Sequence, residues 1–228
     1  MKINQSVCIQ DLETSFISQT MRQSALGSDV PSDILMYWMD VVTKKTMDEY
    51  EQILWQGDTT YVGPNTYLAL CDGFLKAFAA DPDVIDVVGV PLTALNIVTE
   101  MNKVYDAIPD VMMNRPDLCF YLPIKAKKFF TQAITSNVGQ VNWLGISQSG
   151  DTWYFHDIPV CFSQGIPNNR MVCSFVDNLW VAVDLTNDPE NVEVINFSKT
   201  TGADKVGLKG RFMSGINYYS GAYVVYYA

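Results

Sequence analysis

The stretch from Pro31 to about Trp55 limits the fold more than any other part of this chain. Ile34, Leu35, Trp38, Val41 and Val42 recur at three- and four-residue steps, followed by Met47, Tyr50, Ile53 and Leu54. Asp33, Asp40, Lys44, Lys45, Asp48 and Glu51 take the opposite face. That is the period of an amphipathic helix. Ser28, Asp29 and Pro31 supply its start signal, because Ser and Asp accept orphan amide hydrogen bonds and Pro fits the first turn. Gly57 stands just beyond its end. A helix of this length spans roughly 35–40 Å, more than an average globular helix.

Around it the pattern changes along the chain. Residues 3–9 alternate weakly as a strand, and residues 11–26 predict a short helix closed by Gly27. After a turn-rich stretch, a helix is expected over residues 66–79, ended by Asp81-Pro82. Residues 84–90 read as a strand. Residues 92–107 read as a helix with Leu95, Val98, Met101, Val104 and Tyr105 on one face. Residues 118–122 form a short apolar run, and a helix is expected from Pro123 to about Ile134. The remainder is β: residues 151–155, 158–162, 171–176, 179–184, 192–197 and two long strands within 205–227. Separated helices followed by late strands indicate an α+β fold rather than a doubly wound parallel sheet.

Composition narrows the function. With 48% apolar and 18% charged residues, the 228-residue chain can bury a sizeable core, and disorder is excluded. The aromatic share of 12% includes a tyrosine-rich C-terminus that needs burial or a partner. A formal charge of −10 argues against a face that grips nucleic acid, which depends on Lys and Arg. The cysteines Cys8, Cys71, Cys119, Cys161 and Cys173 are odd in number, lack CxxC spacing and read as buried reduced thiols. The first residues lack the apolar stretch of a signal peptide, and no run is long enough to span a bilayer, so a soluble intracellular product is expected.

Residues suited to catalysis are scarce. His156 is the only histidine, and its place between Phe155 and Asp157-Ile158-Pro159 marks a turn or surface imidazole. Residues 145–150 approach a nucleophile elbow, but Ser149 stands where that motif needs Gly, which leaves a polar loop between strands. Asp184, Asn187, Asp188 and Glu190 could gather a hard cation; they lack calcium-loop spacing, and Asx turns explain them equally well. Asp48, Glu49 and Glu51 read as a solvated helix face, and the glycines near Lys205 and Lys209 make no phosphate loop. No enzyme activity, cofactor or metal is expected.

The order of features resembles the major capsid proteins of tailed phages, which share the Hong Kong 97 fold. The stretch Ile53–Thr60 (ILWQGDTT) looks like the family's junction between a long spine helix and a glycine-bearing turn with an acidic residue. Residues 92–107 and then 118–123 look like its axial helix and buried strand. Asp157-Ile158-Pro159-Val160, then residues 171–184, 192–197 and 206–219 follow the order of a short strand, a hairpin and a returning β-arm. Residues 167–185 and the terminal GLKGRFMSGINYYSGAYVVYY are similar to capsid proteins of phages or prophages of Bacteroidetes-type bacteria.

The resemblance implies a peripheral domain, residues 1–58 with 186–221 and the spine helix at 31–55, and an axial domain, residues 59–185 with 222–228. It implies that Leu35, Trp38, Val42, Tyr50 and Leu54 are buried on the β-arm. Assembly or structural roles fall to Trp38, Trp55, Gly57, Asp58, Pro159, Trp180, Arg211, Tyr218 and Tyr219. The partners implied are other copies of the chain, in hexamers and pentamers around double-stranded DNA, with scaffolding, portal and maturation protease besides. The location implied is the virion capsid, after assembly in the bacterial cytoplasm. In the family an arm and a long hairpin precede the spine helix. About thirty residues precede Pro31 here, with residues 2–12 expected as the hairpin's returning edge, so a truncated or processed chain is expected. Rival readings are an encapsulin-like compartment shell and a small hydrolase built on Asp184 or Ser147 with His156.

Overall fold

The computed structural model describes residues 2–8, 11, 32–136, 145–150, 152–183, 192–197, 205–211 and 214–228. The expected helix at 11–26 and the polar cluster at 184–190 lie outside the described residues. The helices are α1 (Ser32–Gln56), α2 (Phe74–Ala80), α3 (Ile97–Asp106), α4 (Asp110–Met113) and α5 (Ile124–Ser136). The first eight strands are β1 (Lys2–Cys8), β2 (Ile85–Val87), β3 (Leu118–Pro123), β4 (Ile146–Ser149), β5 (Thr152–Phe155), β6 (Ile158–Ser163), β7 (Met171–Phe175) and β8 (Leu179–Val183). They are followed by β9 (Val192–Asn196), β10 (Lys205–Arg211), β11 (Ser214–Tyr218) and β12 (Val224–Tyr227). The chain divides into two compact units, residues 1–47 with 183–214, and residues 48–182 with 215–228.

In the first unit β1, β10 and β9 form an antiparallel sheet with β10 in the middle. Lys2 pairs with Arg211 and Cys8 with Lys205. Trp38 and Val42, one helical turn apart on α1, are buried with Val206 and Leu208 of β10, and Val7, Met39 and Val194 pack around them. The buried stripe is narrower than the periodicity predicts, since Val41 and Met47 are exposed.

The second unit is built on a seven-stranded mixed sheet in the order β2-β12-β7-β3-β6-β5-β4. Alternation gives it two apolar faces. One carries Phe120, Leu122, Cys173, Phe175, Val225 and Tyr227 and is covered by Ile97, Met101 and Val104 of α3 and Ala126, Phe130 and Ala133 of α5. The other carries Val172, Val224 and Tyr226 and packs with Trp55 and with Phe74, Leu75 and Phe78 of α2. From this end of α1 the buried residues are Ile53 and Trp55, whereas Tyr50 and Leu54 are only half-buried.

Several expectations require correction. The single helix at 66–79 is two pieces, a short 3-10 turn over Thr66–Leu70 and then α2, because Cys71 is extended and Gly73 is committed to a bond with Gly57. The helix expected from residue 92 begins at Ile97. Thr93 donates through its N–H and hydroxyl to Asn96 Oδ1 at 2.7 and 2.9 Å, and that turn leaves Leu95 93% exposed. The loop expected at 145–150 is strand β4, hairpinned to β5 through Gly150 at positive φ. Residues 171–184 are not a hairpin, since β7 belongs to the seven-stranded sheet and β8 pairs with β11. The C-terminal region holds three strands, not two. Of the cysteines, only Cys119 and Cys173 are buried.

Candidate functional site

The turn that leaves α1 is fixed by close backbone approach. Gly73 N–H donates to Gly57 O at 2.8 Å, and Asp58 N–H donates to Leu68 O at 2.8 Å. A Cβ on Gly57 would collide with the Cys71 carbonyl oxygen, so only glycine fits. Lys76 then bridges two carboxylates, 2.7 Å from Asp58 Oδ1 and 2.6 Å from Asp72 Oδ1. The Lys76 ammonium and the Thr60 hydroxyl and N–H together hold the Asp58 carboxyl down at about 2. Asp72 is lowered by the same lysine and by Thr59.

The last turn of α1 is tied to the loop after β6. Ser163 Oγ donates to Glu51 Oε1 at 2.6 Å, Gln164 N–H to the same oxygen at 3.1 Å, and Gln56 Nε2 to Gly165 O at 2.6 Å. Glu51 is therefore a fixed acceptor and not part of a solvated face. The Trp55 ring sits 5.4 Å from Phe74 and 5.5 Å from Tyr121, centroid to centroid. Trp55, Gly57 and Asp58 thus belong to one hydrogen-bonded and packed corner.

Tyr218 and Tyr219 divide in role as alternation requires. Tyr218 donates its hydroxyl to Asp81 Oδ2 at 2.8 Å and meets Phe78 edge-on; burial and that carboxylate push its phenol up to about 12. Tyr219 is 74% exposed and Trp180 57% exposed. These two line one cleft of about 360 Å³ with Val111, Arg115, Phe175 and Tyr223. The Arg115 guanidinium lies 4.4 Å over the Phe175 ring. Such a patch, rich in aromatics and carrying an arginine, has the composition of an interaction surface.

The remaining predicted residues lie elsewhere. Trp38 is in the first unit, in the core described above. Arg211 ends β10 opposite Lys2, and its side chain lies outside the described residues. Pro159 is half-buried on β6 opposite Tyr154. Next to it, His156 and Asp157, with φ of 46° and 67°, make the two-residue turn of the β5–β6 hairpin. His156 Nε2 is 3.1 Å from Asn102 Oδ1, and its ring contacts Tyr105 and Phe155. Ser147 pairs with Tyr154 in the sheet. Asp184 lies outside the described residues, and no nucleophile–base contact links Ser147 to His156 among the described residues. Nor do the described residues contain a group of three metal-ligating side chains. No helix is long and apolar enough to cross a membrane.

Sequence reasoning missed two buried polar clamps. Asn178 Nδ2 donates to Ser174 Oγ at 3.1 Å and Ser220 O at 3.2 Å, while its Oδ1 accepts from Ser220 N–H. The Tyr227 hydroxyl accepts from Val90 N–H at 2.8 Å and donates to Glu100 Oε2 at 2.7 Å. Burial pushes the Glu100 carboxyl up, but bonds from Lys103 and Tyr227 outweigh it and hold it below its ordinary value. Neither clamp is legible locally, because the Asn178–Ser220 and Tyr227–Glu100 bonds join residues distant in sequence.

No family model and no curated protein matches the sequence. Solved structures match its fold. The satellite phage P4 procapsid including the size determination (Sid) protein aligns over 100% of this chain and 74% of its own, with TM-score 0.58 at 12% identity. Gordonia phage Cozz aligns over 100% and 68%, with TM-score 0.59 at 11% identity. The capsid of an empty GTA particle aligns over 100% and 71%, with TM-score 0.57 at 12% identity. The chain has the Hong Kong 97 phage-capsid fold. At this identity the likeness lies in the path of the backbone and not in shared side chains.

Proposed function

We propose that this chain is a structural subunit of an icosahedral phage or prophage head, a major capsid protein that assembles with copies of itself into hexamers and pentamers enclosing double-stranded DNA. The observation that carries the reading is the full-length alignment of this chain with capsid chains. The exposed aromatic cleft at Trp180 and Tyr219 supports it. A shell subunit works by multiplicity, since neighbours hold it on several sides and each contact can be weak. Rings of five or six require head-to-tail contacts that close.

In this reading residues 59–185 with 222–228 form the axial part, and residues 1–58 with 186–221 form the peripheral part. The Trp55–Gly57–Asp58 corner sets the path of the chain where α1 ends. Trp38 anchors α1 to β10, and Trp180 and Tyr219 meet a neighbouring copy. Pro159, Arg211 and Tyr218 take structural roles. The net charge of −10 suits a wall that encloses DNA without gripping it. Scaffolding protein, portal and a maturation protease complete the proposed partners, and the host cytoplasm is the proposed site of assembly.

Trp180→Ala and Tyr219→Ala test the neighbour contact. Both should leave the circular dichroism and melting of the isolated chain unchanged and shift its sedimentation toward smaller species. Unchanged assembly in both would remove the cleft from the interface.

A further inference from the structure

Cys119 and Cys161 stand on β3 and β6, parallel neighbours in the middle of the larger sheet. Cys161 pairs with Tyr121, two residues beyond Cys119, so alternation puts both thiols on one face as diagonal neighbours. Their sulfurs are 2.8 Å apart, with the Cys119 thiol donating to Cys161 Sγ. A disulfide bond brings two sulfurs to about 2.05 Å. Cys161 is exposed and Cys119 is buried. One thiol can be reached by a solute, and the other only by its neighbour. The hydrogen bond from Cys119 holds the Cys161 thiol down at about 7, against the opposing effect of burial. The same bond, with burial, pushes the Cys119 thiol up. Cys173 lies on the opposite face of the sheet, among Phe120 and Phe175, and takes no part.

We propose that Cys119 and Cys161 form a dithiol site that low-molecular-weight disulfides oxidise to an intramolecular cross-link between β3 and β6. The Cys161 thiolate attacks one sulfur of oxidised glutathione, forms a mixed disulfide and expels one glutathione thiolate. The Cys119 sulfur then attacks Cys161 Sγ in that mixed disulfide and expels the second glutathione. Both cysteine protons end on the two reduced glutathiones. Two protein thiols are oxidised to one disulfide while one glutathione disulfide is reduced to two thiols. The cross-link joins residues 42 apart, a loop that contains α5 and the β4–β5 hairpin, and it constrains the unfolded chain. None of this depends on the shell reading.

The test titrates the full chain with oxidised glutathione and reads intact mass, unreduced peptide maps and melting temperature. The chain should lose two hydrogens, retain no glutathione, yield a peptide joining Cys119 to Cys161, and melt higher until dithiothreitol is added. Cys119→Ala should keep one glutathione on Cys161, since no resolving thiol remains, and Cys161→Ser should leave Cys119 unmodified. A lasting glutathione adduct on Cys161 of the unsubstituted chain, or a bridge made by Cys8, Cys71 or Cys173, would overturn the assignment. Should a variant fail to fold, phenylarsine oxide decides on the unsubstituted chain, because it binds paired thiols. Protection of both cysteines from alkylation after the arsenical-treated chain is denatured supports the pair, and lack of protection refutes it.

Discussion

Trp38 is the side chain on which the smaller core depends most. It is 6% exposed and is buried with the aliphatic residues Val42, Val206 and Leu208. Trp38→Ala removes most of that contact and leaves a cavity, so it should destabilise the chain by about 3–5 kcal/mol in chemical denaturation. A loss no larger than that of an exposed control such as Val62→Ala would refute the buried role. Asp58 makes a different prediction. Its folded-state carboxyl sits at about 2 against an ordinary 3.8, so the stability it contributes is present above about pH 4 and disappears as pH falls through about 2. Asp58→Asn should therefore melt progressively more like the unsubstituted chain as pH drops across that window. Melting curves that stay parallel throughout would show that the Lys76 bridge adds nothing.

Among the elements, β12 has the most demanding position. It lies between β2 and β7, parallel to one and antiparallel to the other, and it presents Val225 and Tyr227 to one core and Val224 and Tyr226 to the other. Tyr227→Phe keeps the ring and removes the hydroxyl that links Glu100 and Val90, so it should cost about 1–3 kcal/mol. A loss within error of zero would show that water takes the place of the hydroxyl. Helix α1 was legible because its period and its stop signal at Gly57 are local. The break at Cys71–Gly73 was not, because it depends on Gly57, which is distant in sequence. The extra length expected of the helix after Pro91 failed for a nearby reason, the Thr93–Asn96 hydrogen bonds, which compete with helix. Strand β4 escaped because its polar side chains conceal a period set by its partner β5. Trp55, Gly57 and Asp58 were singled out by the resemblance of Ile53–Thr60 to the family's junction, not by any spacing rule. The bond from Ser163 to Glu51 and the Asn178 clamp were not, since only the folded sheet brings their partners close.

For the molecule as a whole, what matters is what the two units do in many copies. The alignment with capsid chains fixes the fold, and the proposed neighbour contact is the exposed Trp180–Tyr219 cleft. The most direct test is the mass and shape of the particles the chain forms, read by native mass measurement and electron microscopy over a range of concentrations and ionic strengths. Rings of five and six copies, or closed shells, are the predicted result. A chain that stays monomeric under every one of these conditions would contradict it.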